Sequence, residues 1–174
     1  MYNNFIFFYP ALEKGGATKI LVNLVNFFLK KGINIQLICL NASSQLFKDP
    51  QKKLKIIKIK NFKLKYLFKS RLLFSFASLY LLCKELIKQE RKTTKVFSLQ
   101  SHFISVILSK IFLFKVDIRN SEDPFGATRY ADNKFIGYLI FLTKFISFNL
   151  ANRTITNATR SLKSIRFFLL NKKK

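Results

Sequence analysis

An apolar run, Phe5-Ile6-Phe7-Phe8-Tyr9, stops at Pro10, and the short stretch Ala11-Leu12-Glu13-Lys14 closes on the adjacent glycines Gly15 and Gly16. A helical pattern begins at once with Ala17 and Thr18. Strand, tight loop and helix in that order set a helix N-terminus against the C-terminal end of a buried strand. The free amides and the dipole of such a terminus favour an anion, typically a phosphate. Glycines there permit positive φ and a close backbone approach. In α/β sheets, ligands usually bind at this edge.

Three more polar stretches follow predicted strands: Gln100-Ser101-His102, then Arg119-Asn120-Ser121-Glu122-Asp123, then Thr156-Asn157. In a parallel sheet all four loops share one rim, and their convergence says more than any one of them. Each also has a plain structural reading. The glycine pair reads equally as a turn. His102 reads equally as a satisfied structural histidine. Glu122 and Asp123 fit a solvated loop or the cap of a turn, and Arg119 is placed to pair with them.

Other chemistries are excluded by what is missing. The chain has one histidine, which removes His-rich metal sites and the H-E-x-x-H helix. A serine hydrolase would have to use His102, and no G-x-S-x-G elbow is present. The G-x-x-x-x-G-K-(S/T) phosphate loop is absent. So is G-x-G-x-x-G, and the second strand ends in Leu40-Asn41 rather than in a ribose-binding carboxylate. A nicotinamide dehydrogenase is therefore disfavoured.

The elements that must position these loops follow from periodicity. Strands are predicted over residues 4–9, 33–40, 54–59, 95–99, 116–119 and 153–156. Helices are predicted over 17–31, 72–89, 103–114, 134–150, and from Asn157 through Ser161 to Phe168. Gly32 supplies a stop for the first helix. Strand and helix alternate throughout, which predicts one domain over 1–174. Its architecture is a doubly wound, mainly parallel α/β sheet with helices on both faces.

At 174 residues, 49% of them hydrophobic, the chain is long enough to bury a sizeable core. Net charge is +24 and the pI is near 10.3. Nucleic acid or an anionic membrane is the usual partner of such charge. An AT-rich coding bias yields the same Lys, Asn, Ile and Phe excess with no partner selected. Basic residues are densest from Lys55 to Lys69, interleaved with Ile56, Phe62, Leu64, Tyr66 and Leu67. That patch reads as a solvated edge guarded by lysines or as a contact for anionic lipid. Cys39 and Cys83 are too far apart in pattern to form a framework and read as buried thiols. No signal peptide is recognisable. The apolar stretch Leu72 to Cys83 falls short of the roughly 18 residues that span a bilayer, and Lys144 interrupts Phe135 to Leu150.

The order of these pieces resembles the N-terminal domain of family 4 glycosyltransferases, which have the Rossmann-like GT-B fold. Their first loop reads P-x-L-x-x-G-G-(A/S)-x-(R/K), and here it is Pro10-Ala11-Leu12-Glu13-Lys14-Gly15-Gly16-Ala17-Thr18-Lys19. Their first helix reads V-x-N-L-A-x-x-L-x-x-x-G-H, and here it runs from Val22 to Gly32 with Ile33 in place of the histidine. Ser98 to His102 is similar to the turn after their fourth strand, and Arg119 to Pro124 to the loop after their fifth. Ala151 to Ala158 is similar to their A-D-x-I-I-x-x-S segment, with Asn152 replacing aspartate and Ala158 replacing serine.

The resemblance implies a transferase that uses a nucleotide-sugar donor and a glycan or lipid-linked acceptor in envelope polysaccharide synthesis. It implies no metal and no other cofactor. Gly15, Gly16, Ala17 and Thr18 would face the donor diphosphate, and His102 would line the cleft as the catalytic residue. Gln100, Arg119, Asn120, Glu122, Asp123 and Asn157 would lie on the acceptor side. The family's donor-binding C-terminal domain, with its paired-glutamate motif, is not in this sequence. It is expected as a separate chain or as a lost half. A cytoplasmic site of action is expected, with peripheral contact to anionic membrane as a further option. Nucleic acid is not favoured as a partner. The competing reading is a non-catalytic basic α/β remnant that binds anionic membrane or nucleic acid. A half-cleft without its partner domain is expected to leave a sizeable apolar patch uncovered.

Overall fold

The computed structural model describes residues 2–12, 15–49, 51–58, 71–120, 123, 125–126, 131, 133–156 and 159–170. Six strands form one sheet: β1 (Asn4–Phe8), β2 (Asn34–Ile38), β3 (Leu54–Ile57), β4 (Thr94–Ser98), β5 (Lys115–Asn120) and β6 (Arg153–Thr156). Among the described residues, five α-helices join them: α1 (Gly16–Lys30), α2 (Arg71–Lys88), α3 (His102–Ile111), α4 (Lys134–Leu150) and α5 (Thr159–Phe168). The strand order is β3-β2-β1-β4-β5-β6. Every pairing is parallel, with Phe8 opposite both Ile38 and Ser98. This is an α/β Rossmann-like fold.

Right-handed crossovers decide which face each connection covers. From β1 the chain steps outward to β2 and β3, and it then crosses back to β4, β5 and β6. The two directions of travel deposit their connections on opposite faces. Helix α1 covers one face, where Leu21, Val25 and Leu29 pack with Phe7, Ile35, Leu37 and Phe97. Among its described residues the step from β2 to β3 has no α-helix. It contains a 3-10 turn at Ser44–Leu46, followed by Phe47, which joins the same core. Helices α2 to α5 cover the other face. Leu82, Val106, Phe148 and Phe168 pack there with Ile6, Phe8, Ile38, Val96, Val116 and Ile118. Phe7 and Phe8 are both fully buried, one on each face. Burying such a ring contributes about 1.5–3 kcal/mol, which explains a central strand that is apolar without alternation.

At the β3 edge, Glu85 of α2 is 3% exposed. Its carboxylate takes Lys88 Nζ at 2.9 Å and Lys55 Nζ at 3.3 Å. Burial pushes its pKa upward, but the Lys88 and Lys55 contacts outweigh that and hold it below the usual carboxylate range. Lys55 of the predicted basic patch is thus an ion-pair partner in the packing of α2 on the sheet. Residues 59–70, which carry most of that patch, lie outside the described residues. Of the two cysteines, Cys39 is buried as expected, whereas Cys83 is partly exposed on α2. No helix among the described residues is long and apolar enough to cross a membrane.

Two helices end in the same way with different residues. After α1, Gly32 adopts φ +73°. Its N–H bonds the Leu29 carbonyl at 2.9 Å, and Ile33 N–H bonds that of Phe28 at 3.2 Å. After α3, Leu113 takes the left-handed position at φ 60°. Its N–H reaches Lys110 O at 3.1 Å, and Phe114 N–H reaches Ser109 O at 2.7 Å. Both are helix-terminating motifs of the Schellman kind. A glycine marks the first in the sequence, and a leucine hides the second, so the helix predicted through Phe114 ends at Ile111. Leu113 is 70% exposed and loses little packing on truncation. Leu113→Gly is therefore expected to stabilise the chain by about 0.5–1 kcal/mol through relief of the left-handed strain. The urea unfolding midpoint checks this.

Candidate functional site

The rim of the sheet is built by the ends of β1 and β4, which lie side by side at the point where the direction of travel reverses. Beyond β1, the loop from Pro10 to Leu12 is held from two sides. Asn41 accepts from Leu12 N–H at 2.7 Å and donates to the Leu12 carbonyl at 2.9 Å. Gln100 Oε1 accepts from Ala11 N–H at 3.4 Å. The predicted acceptor-side residue Gln100 is thereby tied to the glycine loop. Asn41, noted in the sequence only for not being a carboxylate, fixes that loop. Nothing in its type or spacing signalled the role. It also takes part in a 3.3 Å contact with Cys39 Sγ. Burial pushes the Cys39 thiol pKa up, partly offset by hydrogen bonds at Asn41, Leu12 and Ala42.

Gly15 precedes α1, and Lys19 N–H makes the first intrahelical bond to its carbonyl at 3.4 Å. The amides of Gly16 and Ala17 therefore lie in the first turn, which holds no acidic residue of its own. The expected positive φ is not what the glycines provide. Gly15 has φ 162°, which is extended backbone, and Gly16 is not in the left-handed region. What they provide is room. A Cβ at either position would meet nothing among the described residues within 4 Å. Thr18 is further fixed by a 3.4 Å hydroxyl contact with Tyr9.

Beyond β4 the chain turns into α3 within three residues. Ser101 makes the corner in the left-handed region, at φ 53° and ψ 46°. Such a conformation is costly for a non-glycine residue and concentrates at functional sites. The corner sets His102 at the start of α3. Its Nδ1 lies 3.1 Å from Ser98 Oγ, and the ring also hydrogen-bonds the Arg119 backbone carbonyl. Two strand ends thus fix one imidazole. The residue as a whole is half-buried. Crowding around it, reinforced by the nearby Lys144 cation, lowers its pKa to about 4 despite the Arg119 bond.

His102 opens onto a cleft of about 380 Å³ between α3 and α4, whose polar lining includes Asn120, Thr143, Lys144 and Ser147. Asn120 therefore lies where the sequence placed it. Thr143, Lys144 and Ser147 were missed. Their signal was a threonine, a lysine and a serine grouped on an otherwise apolar helix, with Lys144 treated only as an interruption.

Arg119 does not join this cleft through its side chain. Val116 and Ile118 of β5 face the α2–α5 core, so alternation sends Asp117 and Arg119 to the opposite face. Asp117 pairs there with Lys95. The Arg119 guanidinium is buried, which depresses its pKa, and its Nη1 has no partner among the described residues. Asp123 caps its own turn, accepting from Phe125 N–H at 3.2 Å. Glu122 and Asn157 lie outside the described residues. Asn152, in the segment similar to A-D-x-I-I-x-x-S, exchanges bonds with the Val116 backbone. Its N–H donates to Val116 O at 2.8 Å, and its Oδ1 accepts from Val116 N–H at 2.9 Å. It is the bolt between β6 and β5. Among the described residues no cluster of three His, Cys, Asp or Glu is placed to hold a metal ion.

The pKa of His102 sets a pH dependence. Its folded value, about 4, lies below the ordinary 6.5, so between these values the unfolded chain binds the extra proton. Its contribution is complete above pH 6.5 and is lost as pH falls toward 4, by about 3 kcal/mol at most. His102→Gln is expected to flatten this part of the stability profile. Denaturant melts of both proteins across that interval check it, and parallel profiles would contradict the assignment.

Neither a protein-family profile nor a curated protein sequence matches the chain. Solved structures do. The Anabaena protein Alr3699/HepE, in complex with UDP and glucose, superposes with a TM-score of 0.62 at 11% identity, over 99% of this chain and 42% of that one. Os79 from O. sativa, in complex with UDP, superposes with a TM-score of 0.56 at 7% identity, over 94% of this chain and 49% of that one. This chain thus spans less than half the length of either protein, and the likeness is one of fold.

Proposed function

We propose that this chain forms one half of a glycosyltransferase that uses a nucleotide-sugar donor. The observation that carries the reading is the pairing, at the β1–β4 switch point, of a helix N-terminus with a fixed, uncharged histidine beside a cleft that also holds Asn120, Thr143 and Lys144. The first suits a diphosphate. The second suits a hydroxyl-bearing acceptor. The shared fold with two proteins solved in complex with UDP supports the same reading.

In this proposal the amides of Gly16 and Ala17 stabilise negative charge as it develops on the leaving diphosphate, with Thr18 beside them. The empty space at Gly15 and Gly16 admits the donor. His102, held neutral, lines the acceptor side with Asn120 and Lys144. Gln100 acts through the loop it holds. Arg119 acts through its carbonyl on His102, and Asp123 shapes the turn beyond β5. Glu122 and Asn157 remain rim residues by sequence position. A second domain supplies the remaining donor contacts, in the same or another chain. The finer proposal is a family 4-like, cytoplasmic enzyme that needs no metal and acts on glycan or lipid-linked acceptors of envelope polysaccharide.

The test is transfer from nucleotide sugars by this chain together with its second domain. Gly16→Val is expected to leave the fold intact, because the added Cβ meets nothing among the described residues. It is expected to lower kcat/KM for the donor by roughly 100-fold through loss of the amide contact. Lys144→Ala is expected to raise the acceptor KM and leave the donor KM unchanged. Full activity of Gly16→Val would remove the glycine loop from the donor site.

A further inference from the structure

Helix α2 carries an apolar stripe on the side that faces away from the core. Phe76, Leu79, Tyr80 and Ile87 are all exposed, Phe76 and Ile87 by about two-thirds. Their spacing puts them on one helical face, and Cys83 lies between them, partly exposed. The opposite face, with Leu81, Leu82 and Leu86, is in the core. The stripe is bordered by positive charge. A groove of about 440 Å³ between α2 and the edge strand β3 is lined by Lys55, Lys58, Lys84 and Lys88, with Glu85 the one acid among the described residues there. Lys55 and Lys88 satisfy Glu85. Lys58 and Lys84 are exposed beside it.

We infer that this face docks the protein on a membrane surface rich in anionic phospholipid. The arrangement is that of a helix lying in the interface plane, apolar on one side and flanked by lysines. Charge selects the occupant. A second copy would bring a chain of net charge +24 against a face already bordered by lysines, which opposes self-association. A nucleic-acid backbone would meet the lysines but leave Phe76, Leu79 and Ile87 wet. An anionic bilayer satisfies both, with headgroups on the lysines and the acyl boundary under the stripe. The inference stands on this face alone and does not depend on the transferase reading.

The experiment is flotation of the whole chain with vesicles of phosphatidylcholine, with and without about 30% phosphatidylglycerol, because anionic headgroups attract lysines near the surface. Binding is expected only with the anionic lipid and is expected to weaken in about 0.5 M salt. Lys58→Gln with Lys84→Gln is expected to lower partitioning roughly 25-fold. Phe76→Ser with Ile87→Ser is expected to abolish it, with the circular dichroism spectrum and melting temperature unchanged because both positions are exposed. Phe135→Ser with Tyr138→Ser, on the exposed side of α4, is expected to bind as the wild type does and so assigns the contact to α2. Four results would overturn the inference: equal binding to pure phosphatidylcholine, undiminished binding of the Phe76/Ile87 variant, loss of binding through the α4 variant, or a wild-type dimer that the Phe76/Ile87 variant dissolves. Tighter binding to a short DNA duplex than to the vesicles would also overturn it, in favour of nucleic acid.

Discussion

The reversal of direction between β1 and β4 is the constraint on which the rest of this structure depends. Right-handed crossovers send the chain outward on one face before β4 and outward on the other after it. The connections leaving these two neighbours therefore diverge, and an opening is left above the strand ends. The segment from Pro10 to Leu12 and the turn from Leu99 to His102 both border it. The Gln100–Ala11 hydrogen bond crosses it. Neither loop has to be recruited to the other by a special device. The sheet order places them together, and a few side chains then set their shapes.

Those side chains work by fixing the backbone. Asn41 clasps Leu12 through both its amide groups. Ser98 and the Arg119 carbonyl hold the His102 ring. Asn152 clasps Val116 at the foot of β6. On β5, alternation divides neighbouring polar residues between two environments. Asn120 enters the cleft beside α3, while Arg119, one residue earlier, is buried on the opposite face. Residues adjacent in sequence thus do different work, and counting them as one polar loop conceals this.

The fold was largely legible in the sequence because its signals are local. Apolar runs too short for helices, helical spacing between them and Gly32 at a helix end are each read within one turn or one strand. The predicted β6 and α4 match the observed bounds. The end of α3 was not legible, because Leu113 occupies a backbone position whose usual marker is glycine. The start of α3 came one residue early, at His102, because a serine rather than a glycine makes the left-handed corner. The candidate site was legible where it sits on strand ends, as at Gln100, His102 and Asn120. It was not legible where it depends on which side of an apolar helix faces the sheet rim. Helix α4 is apolar nearly all round, so periodicity gave no preferred face for Thr143, Lys144 and Ser147. The conformation of Gly15 was also misjudged, since a glycine can be needed for space rather than for dihedral freedom.

The closeness of Lys144 and His102 has an electrical consequence. An imidazole in an open cleft is ordinarily a pH-sensitive switch near neutrality. Here crowding and a neighbouring cation move the ring's transition to about pH 4. From weakly acidic to weakly alkaline conditions the ring therefore contributes no charge to that wall. It behaves there as a fixed hydrogen-bonding group rather than a titrating one. Whatever enters the cleft meets the same uncharged imidazole across that whole range, so acidification of the surroundings does not act through this ring.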